Sequence, residues 1–232
     1  MEKIYFYPKL ASSYKDLKLS VEHGKGMIIF DVGANKGQSV RFFKRLYPQS
    51  QVYGFEPAFN TFKALKELIE KKKYTGISIF PIGLGDTPRE SIFHESDLSE
   101  TSTFATPSPD SKYLKKKNRI LFQKSSNAYK SNLMQITTLD SFVDENKIDF
   151  IDILKIDVEG FEFEVIQGSK KTLEHSRVGI LQIESQDNDM FCDNFPEIDS
   201  FLKNYNYSLI KEIRHSFGNF REVLYKGCEE VA

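Results

Sequence analysis

Residues 28–38 of this chain, Ile-Ile-Phe-Asp-Val-Gly-Ala-Asn-Lys-Gly-Gln, constrain its fold more than any other stretch. An apolar run takes up Asp31, breaks at Gly33, turns through Asn35 and Gly37 and opens a helix at Gln38. A strand–turn–helix unit of this kind builds a ligand pocket beyond the carboxyl end of a parallel strand. A second β-like run, Gln-Val-Tyr-Gly-Phe, ends in Glu56 and Pro57, and Glu56 stands 23 residues after Gly33. That is the length of about one helix plus one strand. An ionised carboxylate accepts hydrogen bonds on two oxygens and donates none, which suits a pair of ribose hydroxyls.

The same alternation continues along the chain. Strands are predicted over 27–32, 51–55, 77–82, 151–156 and 178–183, and helices over 38–46, 59–72, 162–173 and 196–205. A helix over 8–21 leads in, and 208–213 with 221–225 read as a closing hairpin pair. Alternating strands and helices imply an α/β fold, doubly wound around a mostly parallel sheet. With 232 residues, 40% of them apolar, one sizeable core can be buried. The expectation is therefore a single domain over 1–232, with 1–25 as a helical lead-in. Asp31, Glu56, residues 83–86, Asp157 and Glu184 all fall at predicted strand ends, so they point at one rim. The rhythm breaks at 87–134, a segment rich in Ser, Thr, Lys and Asn and too long for an ordinary connection. It reads as an insertion after strand three. Short strands at 90–94 and 135–139 would form its base, and 96–131 a mobile flap over the pocket. The basic run from Lys112 to Arg119 reads either as a solvated helix face or as a recruiter of an anionic substrate.

Charge is nearly balanced, with 33 acidic and 32 basic residues, so no field invites nucleic acid. The Asn/Asp-Pro-Pro-Tyr run of enzymes that methylate amino-adenine is absent after strand four. Cys192 and Cys228 form neither a zinc set nor a disulfide framework and read as reduced, buried residues. The amino terminus lacks a long apolar region and no apolar run approaches bilayer length. A cytoplasmic protein without a membrane span is expected. The triplet Asn206-Tyr207-Ser208 is then a chance glycosylation-type match. Oligomeric state is left open.

The loop chemistry narrows the ligand. A dinucleotide fingerprint places its second glycine where the backbone meets the pyrophosphate, and here that position is Asn35. Asp31 adds a carboxylate at the mouth of the loop, which suits an ammonium group better than a phosphate. Ammonium, ribose and no phosphate describe S-adenosylmethionine. On this reading Asp31 faces the amino-acid end through the loop and ordered water, and Glu56 holds the ribose. The competing readings are an NAD(P)-dependent oxidoreductase and a non-catalytic module that keeps the pocket.

Asp31-Val-Gly-Ala-Asn-Lys-Gly37, Gly54-Phe-Glu-Pro57, Thr137-Thr-Leu-Asp140 and Leu154-Lys-Ile-Asp-Val-Glu-Gly160 occur in that order. This set resembles the FkbM family of S-adenosylmethionine-dependent methyltransferases, over roughly residues 28–184. The resemblance implies a class I methyltransferase fold, Rossmann-like, usually a seven-stranded sheet with an antiparallel last strand. It implies O-methylation of a hydroxyl on a sugar, glycan or secondary metabolite. Carried onto this chain, it adds Ala34, Pro57, Gly85 and Asp86 to Asp31, Gly33, Asn35, Gly37 and Glu56 as cofactor-binding candidates. The family pattern after strand three reads Asn-x-Ala-x-Gly-Asp. This chain has Pro81-Ile-Gly-Leu-Gly-Asp86, keeping only the final pair.

Methyl transfer is an in-line displacement, and a hydroxyl acceptor is helped by a positioned base. Lys155, Asp157, Glu159 and Glu162 supply candidates at the end of strand four. Alternation would put Lys155, Asp157 and Glu159 on one side, where neighbouring carboxylates raise each other's pKa and Lys155 damps the effect. Asp157 is expected to line the methyl-transfer cavity, with Glu159 as base. The alternatives are a structural ion-pair network, or oxygen ligands for magnesium from Asp157, Glu159 and Glu184. No metal site is assigned. His94 reads as an ordinary polar residue, and Ser102 and Thr103 either touch ligand or are solvated hydroxyls.

Overall fold

The computed structural model describes residues 7–17, 26–96, 102–106, 108, 110–112, 129–186, 191, 194–214 and 220–227. In chain order the elements are α1 (Tyr7–Asp16), β1 (Ile28–Val32), α2 (Gln38–Leu46), β2 (Gln51–Phe55), α3 (Phe59–Lys72), β3 (Ile77–Phe80), β4 (Gly83–Leu84) and β5 (Arg89–Ser96). They continue as β6 (Tyr129–Thr137), α4 (Leu139–Glu145), β7 (Ile151–Ile156), α5 (Glu162–Gln167), α6 (Lys170–Glu174), β8 (Val178–Gln186), α7 (Phe195–Asn204), β9 (Tyr207–Arg214) and β10 (Phe220–Gly227).

Seven strands form the central sheet in the order β3-β2-β1-β7-β8-β10-β9. The β1·β2, β1·β7, β2·β3 and β7·β8 pairs are parallel, and β10 runs antiparallel to both neighbours. The predicted closing hairpin is therefore present, with its second strand inserted between β8 and the first. This is the class I Rossmann-like arrangement. The order reverses beside β1, so the carboxyl ends of β1, β2 and β7 open into one crevice.

The continuous apolar runs of the central strands reflect burial on both faces. On one face Phe30, Phe55, Leu139, Phe142, Leu154, Val165 and Leu181 form the core. On the other Leu10, Tyr14, Ile29, Phe43, Leu65, Ile153 and Ile180 do so. Much of the phenylalanine content is used here. Phe142 packs edge-on against Phe55 and Phe80, both at 4.8 Å between ring centroids.

Several boundaries depart from expectation. The strand predicted over 135–139 ends at Thr137, because Thr138 turns its hydroxyl to the Ser141 N–H (3.0 Å) and starts α4. The helix predicted over 162–173 is broken into α5 and α6 at Gly168–Ser169, where a Cβ on Gly168 would collide with the Gly85 carbonyl. The predicted third strand stops at Phe80, and Gly83–Leu84 pairs instead with β6 in a separate three-stranded sheet, β4-β6-β5. There β5 and β6 pair antiparallel with Glu90 opposite Gln135, as the base expected for the insertion. The lead-in helix, predicted over 8–21, ends at Asp16; residues 18–21, both cysteines, much of the predicted flap and the basic run beyond Lys112 lie outside the described residues. Among the described residues no helix is long and apolar enough to cross a membrane.

Candidate active site

The loop after β1 is fastened to the end of β2. The Gly33 and Ala34 N–H groups both donate to the Phe55 carbonyl at 3.0 Å, and the Asn35 N–H donates to Glu56 Oε2 at 2.9 Å. Gly33 is required twice over. Its φ of +82° lies in the left-handed region, and a Cβ would meet the Asp157 carbonyl. Asn35 also takes a positive φ, 48°, which asparagine tolerates by bonding locally, here through its Oδ1 to the Lys36 N–H at 2.7 Å.

Glu56 is held from both sides, by Asn35 N–H on one oxygen and Ala58 N–H (2.8 Å) on the other. It is 6% exposed. Burial pushes its carboxyl up to about 7, against the opposing pull of the two N–H donors. Each oxygen keeps a further lone-pair direction, so the group remains able to accept two hydroxyls.

One cavity runs from this point across the rim. Gly33, Ala34, Asn35, Glu56, Pro57, Lys155, Asp157 and Glu159 line it, along with Glu184. Asp31 does not. It is 0% exposed, accepts from the Ser39 hydroxyl and faces Lys155 Nζ at 3.3 Å. The expected position at the loop mouth is thus corrected: Asp31 lies one layer below, and its neighbour Ser39 reaches the cavity wall. Gly37, with φ +85°, is the N-cap of α2 and abuts Leu65 and Leu68 of α3. Gly85 donates its N–H to the Thr137 carbonyl, and Asp86 binds Arg89 at 2.6 Å. These three belong to the scaffold around the cavity rather than to its wall.

The rim acids come together by a turn, not by strand alternation. β7 ends at Ile156, and the chain reverses through Glu159 (φ 56°) and Gly160 (φ 92°). Even so, carboxylate oxygens of Asp157, Glu159 and Glu184 lie within 4.8 Å of one another. Three oxygens at that spacing can share a donor-bearing acceptor, and the same set could ligate a divalent cation. Lys155 Nζ stands between Asp31 and Asp157, 3.3 Å and 3.2 Å away. Glu162, grouped with these by sequence, has a different place. Its Oε1 accepts from Val158 N–H (3.1 Å) and Gly160 N–H (3.2 Å), and its Oε2 from Gly160 N–H (3.0 Å). It braces the turn, and burial pushes its carboxyl up to about 7.

Several wall residues carry no sequence signal. Leu10 of α1 joins the lining, as do Gln182, Glu222, Phe93 and Phe104. The Tyr14 hydroxyl donates to Gln182 Oε1, and Gln182 Nε2 donates to Glu222 Oε2 at 2.8 Å. Ser102 and Thr103 both line the cavity, and Thr103 is 1% exposed, which removes the reading of a solvated hydroxyl. His94, half-buried, exchanges backbone hydrogen bonds with Thr103.

The model of the methyltransferase FkbM domain matches residues 31–209. "Methyltransferase 1" of Beauveria bassiana is 31% identical over 149 residues, covering 60% of this chain and 57% of that protein. "2-O-methyltransferase NoeI" of Sinorhizobium fredii is 24% identical over 173 residues, covering 73% and 67%. This chain thus spans a little over half the length of the fungal relative. Among solved structures, methyltransferase FkbM from Methylobacillus flagellatus aligns with a TM-score of 0.59 at 14% identity, over 87% of this chain and 44% of that one. Magnesium protoporphyrin IX methyltransferase from Synechocystis, solved with bound S-adenosylmethionine, aligns at 0.53 and 10%, over 97% and 79%. At those identities the likeness is one of fold.

Proposed function

The chain belongs to the FkbM methyltransferase family, and from that premise we propose that it uses S-adenosylmethionine to methylate a hydroxyl of a small or glycan-linked acceptor. The observation that carries this reading is the single cavity joining Glu56 to the Asp157–Glu159–Glu184 cluster. Its residues fit the cofactor. A buried carboxylate with two free lone-pair directions suits the ribose, and the loop beside it offers a side chain at Asn35 where a pyrophosphate needs glycine. When bound, the cofactor supplies an electrophilic methyl group.

The chain's own residues do the rest. Glu56 and the loop orient the ribose. Asp157 and Glu159 present carboxylate oxygens where an acceptor hydroxyl is to be aligned, and Glu159 is assigned as the base that takes its proton. Lys155, ion-paired to Asp31 and Asp157, holds the Asp157 carboxylate in place. The relative named as a 2-O-methyltransferase supports oxygen as the acceptor atom. Calorimetric titration with S-adenosylhomocysteine and, in parallel, NADH tests the reading. Micromolar binding of the first alone is expected. Binding of NADH alone would replace the assignment with an oxidoreductase, and binding of neither would remove the cofactor.

A further inference from the structure

Segment 102–104 reaches the cavity wall from the insertion, and the reading above gives it no task. It is seated from two directions. The Thr103 N–H donates to the His94 carbonyl (3.1 Å), and the His94 N–H donates back (2.8 Å). The Thr103 hydroxyl donates to the Val158 carbonyl at 3.1 Å and accepts from Ala105 N–H at 2.9 Å. The ring that follows, Phe104, packs on Phe93 and Phe161 with centroids 4.8 Å and 5.5 Å apart. It also covers Gly83, where any Cβ would collide with it. Gly83 stands where the pattern this chain resembles has alanine. The missing methyl makes room for the ring.

The Phe104 ring enters the cavity over Gly83, in the segment that follows β3, and Thr103 ties it to the turn after β7. Glu56 follows β2, and the carboxylates Asp157 and Glu184 lie toward β7 and β8, beyond β1. A methyl group delivered at that cluster leaves the cofactor's base to extend the opposite way, past β2 toward the segment after β3. Pro57, Ile82, Gly83 and Leu84 line the cavity there. The wall is apolar, and Phe104 supplies an aromatic ring to it. A planar base takes such a wall because its faces are apolar and polarisable.

We propose that Phe104 is a base-binding residue, its ring forming one wall for the cofactor's adenine, with Thr103 the positioning residue that seats it. The proposal rests on the S-adenosylmethionine reading. Two probes test it: S-adenosylhomocysteine, and 5′-methylthioadenosine, which keeps base, ribose and sulfur but lacks the amino-acid end. Both are titrated into the unaltered chain, Phe104→Ala, Thr103→Val and the double variant. Phe104→Ala weakens both probes by the same factor, about ten-fold or more. Thr103→Val weakens both several-fold but costs less in the Phe104→Ala background than alone, because part of its effect runs through the ring and the rest through the Val158 carbonyl it holds. Should Phe104→Ala fail to fold, Phe104→Leu carries the test, with a smaller equal loss for both probes. Unchanged affinities in the variants overturn the proposal, as does a loss confined to S-adenosylhomocysteine. If the unaltered chain binds neither probe, the cofactor reading itself has fallen and this assignment with it.

Discussion

Glu56 is where burial and hydrogen bonding oppose each other most directly. Burial favours the neutral acid, and the Asn35 and Ala58 N–H donors favour the carboxylate; burial prevails, lifting the group to about 7. To act as the proposed ribose acceptor, Glu56 has to be ionised so that it offers both oxygens. Affinity for S-adenosylhomocysteine is therefore expected to fall as pH drops from 8 to 6, and Glu56→Gln to flatten that dependence; calorimetry across the range reads both. Glu56→Ala leaves the two N–H donors unpaired and removes the proposed ribose acceptor, and a loss of about ten-fold or more is expected. Glu159 makes a different prediction. If it takes the acceptor proton, Glu159→Gln lowers turnover by about a hundred-fold or more while S-adenosylhomocysteine affinity stays within a factor of about two. Full activity in that variant removes it as base.

The element that shapes the site is the turn from Asp157 to Gly160. Gly160 takes its φ of 92° freely, but the φ of 56° at Glu159 is costly for a residue with a Cβ, so the turn needs outside support. Glu162 supplies it through the Val158 and Gly160 N–H groups, and Thr103 through the Val158 carbonyl. The Lys-Ile-Asp-Val-Glu-Gly run thus divides its work: an ion-paired lysine, two wall carboxylates and a glycine at φ 92°, with Glu162 beyond it as brace. The Thr137–Asp140 motif, by contrast, is architectural. Thr138 caps α4, and the Asp140 carboxylate accepts from Lys171 N–H, Thr172 N–H and the Thr172 hydroxyl, tying α4 to the start of α6. Thr138→Ala is expected to lower stability by about 1 kcal/mol in chemical denaturation, with S-adenosylhomocysteine affinity unchanged.

For the whole molecule, two of the buried acids, Glu56 and Glu162, contribute a pH dependence to folding. Glu56 and Glu162 are both raised from 4.5 to about 7, so the folded chain holds their protons more tightly than the unfolded chain does. Their contribution is complete below about pH 4.5 and is lost as pH rises through about 7. Each is worth on the order of 3 kcal/mol across that window, taken as an upper bound. Denaturation midpoints measured between pH 5 and 7.5 in Glu162→Gln should accordingly slope less with pH than those of the parent chain. An identical slope would show that Glu162 does not titrate there. The same ledger explains why a bound ligand matters: a group that binds only the folded chain raises its melting temperature in proportion to the logarithm of its concentration.

Much of this was legible in the sequence. The strand ends at Val32, Phe55 and Ile156 were set by apolar runs meeting an acid or a glycine, and such local patterns survive folding because the central strands are buried on both faces. Glu56 was readable because its distance from Gly33 is the length of one βα unit. What the sequence could not carry was contact between distant segments. Asp31 looked like a mouth residue until Ser39 and Lys155 closed over it. Glu162 looked like a candidate base until its oxygens proved occupied by turn N–H groups. Leu10, Phe104 and Glu222 have no local pattern at all, since each reaches the cavity from an element whose path is decided by packing rather than by periodicity. Periodicity and turn chemistry determined which strands exist and where they end. Only the tertiary structure decided which side chains at those ends face a ligand and which face each other.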